Sequence, residues 1–562
     1  MKWNIAYCDE NLKKNLANEL GIPMLLAQML MNRGIMKIED AFRFISPQLK
    51  HLHDPFLMKG MKEGVDRLKK AIQKKEQMCI YGDYDTDGIS GAAVLFIILQ
   101  KLGANVISHI PHRIKEGYGL NADTIKRLSE EGTKILITVD CGITSVSQIS
   151  LARQLGMDVI LTDHHQPLAM FPPANIIINP KQSDCPYPFK ELAGVGVAFK
   201  LCQALDSAEA GGLLRNEEHL DLVALGTIAD LVPLRDENRI FVKYGLESFS
   251  RTTKPGLKAL GEVSGTDLED IDASHIGFKF APRINAGGRM GDAKRGLSLL
   301  LSKDFQEAMV LATMLNEENR SRQRVQEQVF EEAQAAAQGT DHKGKGIIVI
   351  SSDKWHRGVI GIVASRLVEE FSCPVVVISI EDGVGYASAR SVEGINIMDV
   401  INEGADLLYS YGGHKYAAGF TVKEDKIAEL KEKIESAIAK LPERTEIQRQ
   451  ALAEAEMDPT EILSSVFKDC LRLFSPFGKE NPYPVFIARD MRVISPQVTG
   501  SGHLRILLEG SGGKIEMIGF RKGDMAQELS AGIFIDVVFS PHIDKSGDLY
   551  MSLEDFEIPE AV

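Results

Sequence analysis

Between Gln77 and His165 the chain repeats a single pattern, in which a short apolar run is closed by Gly or a polar residue and followed by a helical stretch. QMCIYGD leads to a helix, then NVISHI, a helix, KILITVDCG, a helix, and DVILTDHH. Short β-like runs alternating with amphipathic helices imply βαβ units and a parallel sheet. The runs ILITV and VILT are apolar at successive positions, as strands covered on both faces must be.

The rest of the chain can be organised around that block. At 562 residues it is too long for one core, and length alone suggests about three or four domains. Residues 1–55 read as a helical extension of short helices with polar spacers. Residues 56–303 hold the parallel-sheet block. Residues 304–340 form a linking helix, since NEENRSRQRVQEQVFEEAQ contains neither Gly nor Pro. Residues 341–450 make a second α/β block that begins at GKGIIVI. Residues 451–562 end in five β-like runs, VFIARDMRVI, HLRILL, KIEMIGF, IFIDVVF and DLYMSLEDFEI. Five strands of this size fit an OB-type β-barrel, a common single-strand-binding module. The fold class is therefore α/β with a terminal barrel. No internal repeat or low-complexity tract is visible.

Four segments carry chemistry, each at the end of an apolar run: Asp83, Asp85 and Asp87 in GDYDTDG; Asp140 in ITVDCG; Asp163, His164 and His165 in DHH; and Asp230 in VALGTIAD. In open parallel sheets, ligands bind beyond the carboxyl ends of the strands. Gathering these side chains there crowds carboxylates, and divalent cations relieve that cost. Carboxylate with imidazole suits Mn²⁺ or Mg²⁺. The ligands are too many for one ion, and two ions about 3.5–4 Å apart suit phosphoryl-ester cleavage. Taken singly, each segment has a plainer reading. DxDxDG also suits a Ca²⁺ loop, although no Glu falls at the twelfth loop position. Asp140 also suits a helix N-cap and DHH a capping turn. Their joint occurrence at strand ends favours a metal centre.

DYDTDG, VDCG, DHH and GTIAD, in this order, resemble the motifs of the DHH phosphoesterase superfamily, and GGHKYAAG resembles its DHH-associated domain. HIPHRIKEGYGL, FAPRINAGGRM, WHRGVIGIVASRL and GYASARS resemble the single-strand-specific exonuclease branch found in bacteria, and the likeness spans essentially the whole chain. The resemblance implies that Asp87, Asp140, His164 and Asp230 bind one ion. Asp85 and Asp140 would bind the other, with Asp83 nearby and Asp140 bridging. Relatives that hydrolyse pyrophosphate carry a His where this chain has Tyr81, so Asp83 or water would complete the coordination of the second ion. His165 would contact the scissile phosphate or assist the leaving group, and Asp163 would complete this catalytic pair by orienting a His.

Basic segments supply a phosphate path, because Arg forks bind phosphate oxygens bidentately. Arg113, Arg283, Arg289 and Arg390 are candidates, each with a surface ion pair as its alternative. Asn285 lies in the same PRINAGGR string. The resemblance implies that Arg113, Arg283, Ser388 and Arg390 receive the 5′ end, and it sets His414 beside the substrate groove. Tyr118 is a candidate for base stacking, and His503 and Arg505 lie on a barrel strand that could face DNA. A groove closed between the two α/β blocks would admit a single strand and exclude a duplex.

The expectation is a 5′→3′ exonuclease that cuts single-stranded DNA to 5′-mononucleotides with two Mn²⁺ or Mg²⁺ ions, in recombination and repair. A single-strand-binding protein and a helicase are partners implied by the resemblance. One alternative is a DHH phosphodiesterase of short oligonucleotides or cyclic dinucleotides, and another is a non-catalytic DNA-binding scaffold. A net charge of −14 argues against a general nucleic-acid coat protein but not against an enzyme with a local basic path. Seven dispersed cysteines without CxxC spacing suggest free thiols in a reducing compartment and no zinc site. The start MKWNIAYCDE lacks an apolar signal core, and the run Ala92–Leu99 is too short to span a bilayer. The chain is expected in the cytoplasm, with no membrane association.

Overall fold

The N-terminus departs from the helical reading. Its first element is a strand, β1 (Lys2–Ile5), paired in parallel with Gln450–Ala453. Three helices follow, Glu10–Leu20, Met24–Asn32 and Ile38–Ile45. Asp9 starts the first by accepting the N–H groups of Asn11 and Leu12. This computed structural model describes residues 2–113, 116–117, 119–208, 218–441, 450–544 and 547–559. The chain divides into two compact units. The first comprises Met1–Asn285, Ala293–Ala312 and Arg449–Val562, the second Ala286–Asp292 and Thr313–Gln448.

In the first unit the expected runs are strands β2 (Gln77–Gly82), β3 (Asn105–His109), β4 (Ile135–Val139), β5 (Asp158–Thr162) and β6 (Ile176–Ile178). They form one sheet in the order β3-β2-β4-β5-β6, with every pair parallel. Every residue of β4 is buried, which is why its sequence shows no polar alternation. The helix Thr86–Lys101 leaves the end of β2 and is buried on most of its circumference. It packs against the helices Gly194–Ala208 and Leu220–Ala229. The second of these is buried from Leu220 to Ile228 and ends at Asp230.

In the second unit β7 (Ile348–Ser352), β8 (Val375–Glu381), β9 (Val384–Arg390), β10 (Leu408–His414) and β11 (Ala417–Lys423) form a sheet in the order β10-β11-β9-β8-β7. Only β7 and β8 pair in parallel, joined by the helix Ile360–Phe371. The long polar pattern is one helix, Phe305–Gln338.

The C-terminal residues return to the first unit. After β12 (Gln450–Ala453) and β13 (Ala455–Glu456) come β14 (Phe486–Val498), β15 (Leu504–Gly510), β16 (Gly513–Gly519), β17 (Phe534–Ile543) and β18 (Leu549–Glu557). The order β14-β15-β16-β18-β17 closes into a five-stranded barrel because β14 also pairs with β17. An irregularity between Ala488 and Met491, with Asp490 at φ 53°, bends β14 so that it serves both neighbours. The barrel interior and the N-terminal helices share one core: Leu16, Leu30 and Phe44 pack in the same cluster as Phe474, Phe486 and Ile535. No helix among the described residues is long and apolar enough to cross a membrane.

Candidate metal centre and phosphate contacts

The parallel ladder runs one residue past the strands and thereby delivers the carboxylates. Asp83 follows β2 and donates its N–H to Val139 O at 3.1 Å; Asp140 follows β4 and donates to Thr162 O at 3.1 Å; Asp163 follows β5 and donates to Ile178 O at 3.2 Å. Asp140 stands in the left-handed region, φ 62°, a conformation that Asp and Asn tolerate better than most residues. Asp85 caps the helix Thr86–Lys101, one oxygen accepting the N–H groups of Asp87 (3.0 Å) and Gly88 (3.1 Å). Asp87 accepts the N–H groups of Gly194 (2.7 Å) and Val195 (2.8 Å) at the start of the helix Gly194–Ala208, a favourable place for a carboxylate. A Cβ at Gly194 would lie 2.5 Å from Asp140 Cβ, and one at Gly226 would lie 2.8 Å from Asp87 Oδ1. Both glycines make room for the cluster.

His164 Nε2 lies 3.1 Å from Asp140 Oδ1, 3.5 Å from Asp230 Oδ2 and 3.9 Å from Asp87 Oδ2. Two sets of atoms form, each within 4.8 Å of one another: Asp87, His164 and Asp230, and Asp83, Asp85 and Asp140. Asp140 also groups with His164 and His165, so it stands between the two sets. Asp83 Oδ1, Asp140 Oδ1 and His164 Nε2 are buried without a hydrogen-bond partner. Burial and the neighbouring Asp85 push the Asp87 carboxyl up to about 7. Burial and adjacent carboxylates raise Asp83, Asp140 and Asp230 as well. Burial, then the charge of His165, lowers His164 to about 3. Buried carboxylates that resist ionisation, facing a neutral imidazole and orphaned lone pairs, are the donor set a hard divalent cation satisfies. These residues fit two such ions.

His165 differs from His164. Burial opposes its charge, but the hydrogen bond from Nδ1 to Asp163 Oδ1 (2.8 Å) and the surrounding carboxylates outweigh it and lift the imidazolium to about 9. Asp163 has no oxygen to spare: Oδ1 also accepts the N–H groups of His164 and His165, and Oδ2 accepts that of Ile143 at 2.9 Å. Asp163 holds the two histidines in place and is buried away from solvent, so within the expected catalytic pair its part is to position. Tyr81, at the position where a His was considered, is fully buried and turns from the cluster, its hydroxyl donating to Gly119 O at 3.2 Å.

The phosphate candidates divide between the two units. In the first, Arg113 stacks its guanidinium over the Tyr84 ring, 5.1 Å from the centroid, and its charge is felt at Asp83. Arg283 donates to Lys279 O at 2.6 Å. The Asn285 carboxamide oxygen accepts the N–H (2.8 Å) and hydroxyl (2.9 Å) of Thr86, bracing the DYDTDG turn. In the second unit, Arg289 donates to Gly358 O at 3.3 Å, and Arg390 Nη1 lies against Ser388 Oγ at 3.1 Å on β9. His414 ends β10 and is exposed. Tyr118 lies outside the described residues. On the barrel, Arg505 is paired with Glu516 at 2.7 Å, and His503 Nδ1 accepts the N–H of Arg521 at 3.0 Å. Sequence reasoning passed over Tyr84, Gly194 and Gly226. Tyr84 and Gly226 sit inside quoted motifs, whereas Gly194 left no signal separable from ordinary helix packing.

Comparison with known proteins agrees with this geometry. Residues 77–227 match the N-terminal domain of the DHH family, residues 343–440 the DHHA1 domain and residues 453–548 the RecJ OB domain. The chain is 39% identical over 550 residues to the single-stranded-DNA-specific exonuclease RecJ of Bacillus subtilis, covering 96% of this chain and 68% of that one. It is 33% identical over 517 residues to RecJ of Escherichia coli, covering 88% of each. The crystal structure of Thermus thermophilus RecJ in complex with Mn²⁺ superposes with a TM-score of 0.85 at 30% identity, covering 100% of this chain and 80% of that one. With the metal cluster at the strand ends, the terminal barrel and this extent of identity together, the chain belongs to the RecJ family of DHH proteins.

Proposed function

We propose that the chain is a 5′→3′ exonuclease that hydrolyses single-stranded DNA to 5′-mononucleotides with two Mn²⁺ or Mg²⁺ ions, in DNA recombination and repair. The observation that carries the reading is the pair of ligand sets joined at Asp140. Asp87, Asp140, His164 and Asp230 would hold one ion and Asp83, Asp85 and Asp140 the other. When bound, such ions supply a water of lowered pKa and stabilise charge on the phosphate and leaving oxygens. The protein's own groups do the rest. Backbone N–H groups fix the carboxylates of Asp85 and Asp87. Asp163 holds Nδ1 of His165, which leaves Nε2 to donate to a phosphate oxygen or to the departing 3′ oxygen. Arg113, Arg283, Ser388 and Arg390 would take the 5′-terminal phosphates.

The test uses single-stranded DNA labelled at its 3′ end with Mn²⁺ present. A ladder of shortening labelled strands is the expected result. Immediate labelled mononucleotide without a ladder would reverse the polarity, and a dinucleotide cleaved faster than the long strand would favour a small-substrate enzyme.

Metal binding should depend on pH in a definite direction. The folded metal-free chain holds Asp87 near 7, against an ordinary value of 3.8. Between those values the folded state binds more protons than the unfolded one, so metal-free stability falls as pH rises from about 4 through 7. A cation must displace those protons. The Mn²⁺-induced rise in melting temperature is therefore expected to be larger at about pH 8 than at about pH 5.5. An equal or smaller rise at the higher pH would remove this cluster as the binding site.

The proposed partners are single-stranded DNA, a single-strand-binding protein and a helicase that opens ends. The proposed setting is the cytoplasm, where cysteines that form no disulfide stay reduced.

A further inference from the structure

Arg113 lies on the loop between β3 and the helix Ala122–Glu130, on the strand-end side of the sheet that carries the metal cluster. One carboxylate ties this loop together. Glu116 Oε1 accepts the N–H of His112 at 2.9 Å, and Oε2 accepts the Thr124 hydroxyl at 2.6 Å and faces His109 Nε2 at 3.0 Å. The Glu116 N–H donates to His112 O at 2.8 Å, and its carbonyl accepts Asn121 Nδ2 at 3.2 Å. A strand end, the first turn of a helix and the residue immediately before Arg113 thus converge on one side chain. The carboxylate has acceptor sites enough for all three donors. Its described hydrogen bonds are to a backbone amide, a hydroxyl and an imidazole, rather than to a lysine or arginine in solvent. At the loop's far end the Tyr81 hydroxyl is held by Gly119 O and the Asn121 N–H, each at 3.2 Å.

We propose that Glu116 is a positioning residue for substrate binding: by fixing the backbone of His112 it holds the Arg113 guanidinium over the Tyr84 ring, beside the metal ligands Asp83 and Asp85, where it meets a substrate phosphate. The proposal rests on the reading above that Arg113 contacts phosphate. An arginine on an unbraced loop would spend binding energy on its own ordering, and preorganisation removes that cost.

The test is a double-mutant cycle on Arg113→Ala and Glu116→Gln, with steady-state kinetics on 5′-phosphorylated single-stranded DNA. Glutamine keeps the size of Glu116 but turns one acceptor into a donor facing donors. In the Arg113-containing enzyme, E116Q is expected to raise KM roughly tenfold with a smaller change in kcat. In the R113A background it is expected to change KM by less than about twofold, because the group it positions is gone. An undiminished Mn²⁺-induced rise in melting temperature confirms that the fold and metal centre are intact in each variant. Additive effects of the two substitutions would overturn the proposal, as would an unchanged KM in E116Q beside an impaired R113A. An unchanged KM in R113A itself would show that the phosphate role of Arg113 has failed, and the proposal with it.

Discussion

Replacing Asp140 by Asn is expected to lower the exonuclease rate by about a thousandfold or more while raising the melting temperature of the metal-free protein. The opposite signs follow from one geometry. Asp140 is buried, and burial together with Asp87, Asp85, Asp230 and Asp83 makes its ionisation costly. Asparagine keeps the size and tolerates the left-handed backbone at φ 62°. It also removes one charge from a crowded set, which relieves repulsion in the absence of metal. The same change deletes the one carboxylate that stands between the two ligand sets, so both ion sites lose affinity and relative placement. Rates on single-stranded DNA and melting curves with and without Mn²⁺ check the two halves. Full activity in the variant would remove Asp140 from the centre. Lost activity with a lower metal-free melting temperature would mean that the residue serves the fold.

The site was legible because Asp83, Asp140 and Asp163 directly follow strands of a parallel sheet, whereas Asp230, expected at the end of a strand-like run, instead ends the buried helix Leu220–Ala229. Such strands are apolar at successive positions, so ILITV and VILT announced themselves, and the residues just beyond them had to share one edge. The barrel was legible through its five β-like runs. What escaped depends on contacts far apart in sequence. KWNI is too short and too mixed to declare a strand, and its partner Gln450–Ala453 lies at the other end of the chain. The brace between Asn285 and Thr86 joins residues about two hundred positions apart, and no local pattern announces it. Arg505 pairs across the sheet with Glu516 at 2.7 Å, a partner that register sets and the sequence alone does not reveal. Side-chain partners across a sheet or between distant helices are set by register and packing, which periodicity does not encode.

The largest expected loss of stability lies far from the metals, at Arg239. Its side chain is 1% exposed on the helix Asp236–Ser250. It donates to five backbone carbonyls: Phe44 (2.8 Å), Leu473 (2.9 Å), Phe474 (3.0 Å), Ser475 (2.9 Å) and Pro476 (3.3 Å). Its guanidinium also lies 3.9 Å from the centre of the Phe44 ring. Carbonyl dipoles, rather than a carboxylate, answer the charge. One side chain thereby joins an N-terminal helix, a helix of the catalytic block and the segment leading into the barrel. Methionine at this position would fill similar space but leave the carbonyls without donors. Each buried orphan costs about 1–3 kcal/mol, partly recovered where Asn481 Nδ2 already serves Phe474 O and Pro476 O. The expected net loss for Arg239→Met is about 3–5 kcal/mol, read as a lower urea midpoint. Proteolytic cleavage should begin near residue 475, because the segment leading into the barrel loses its tie to the catalytic block. Lysine keeps the charge but cannot reach five acceptors arranged around a planar fork, so Arg239→Lys should fall between wild type and Arg239→Met. A stability for Arg239→Met within about 1 kcal/mol of wild type would mean that water or neighbouring amides satisfy the carbonyls, and that the N-terminal layer and barrel are held by their shared apolar core alone.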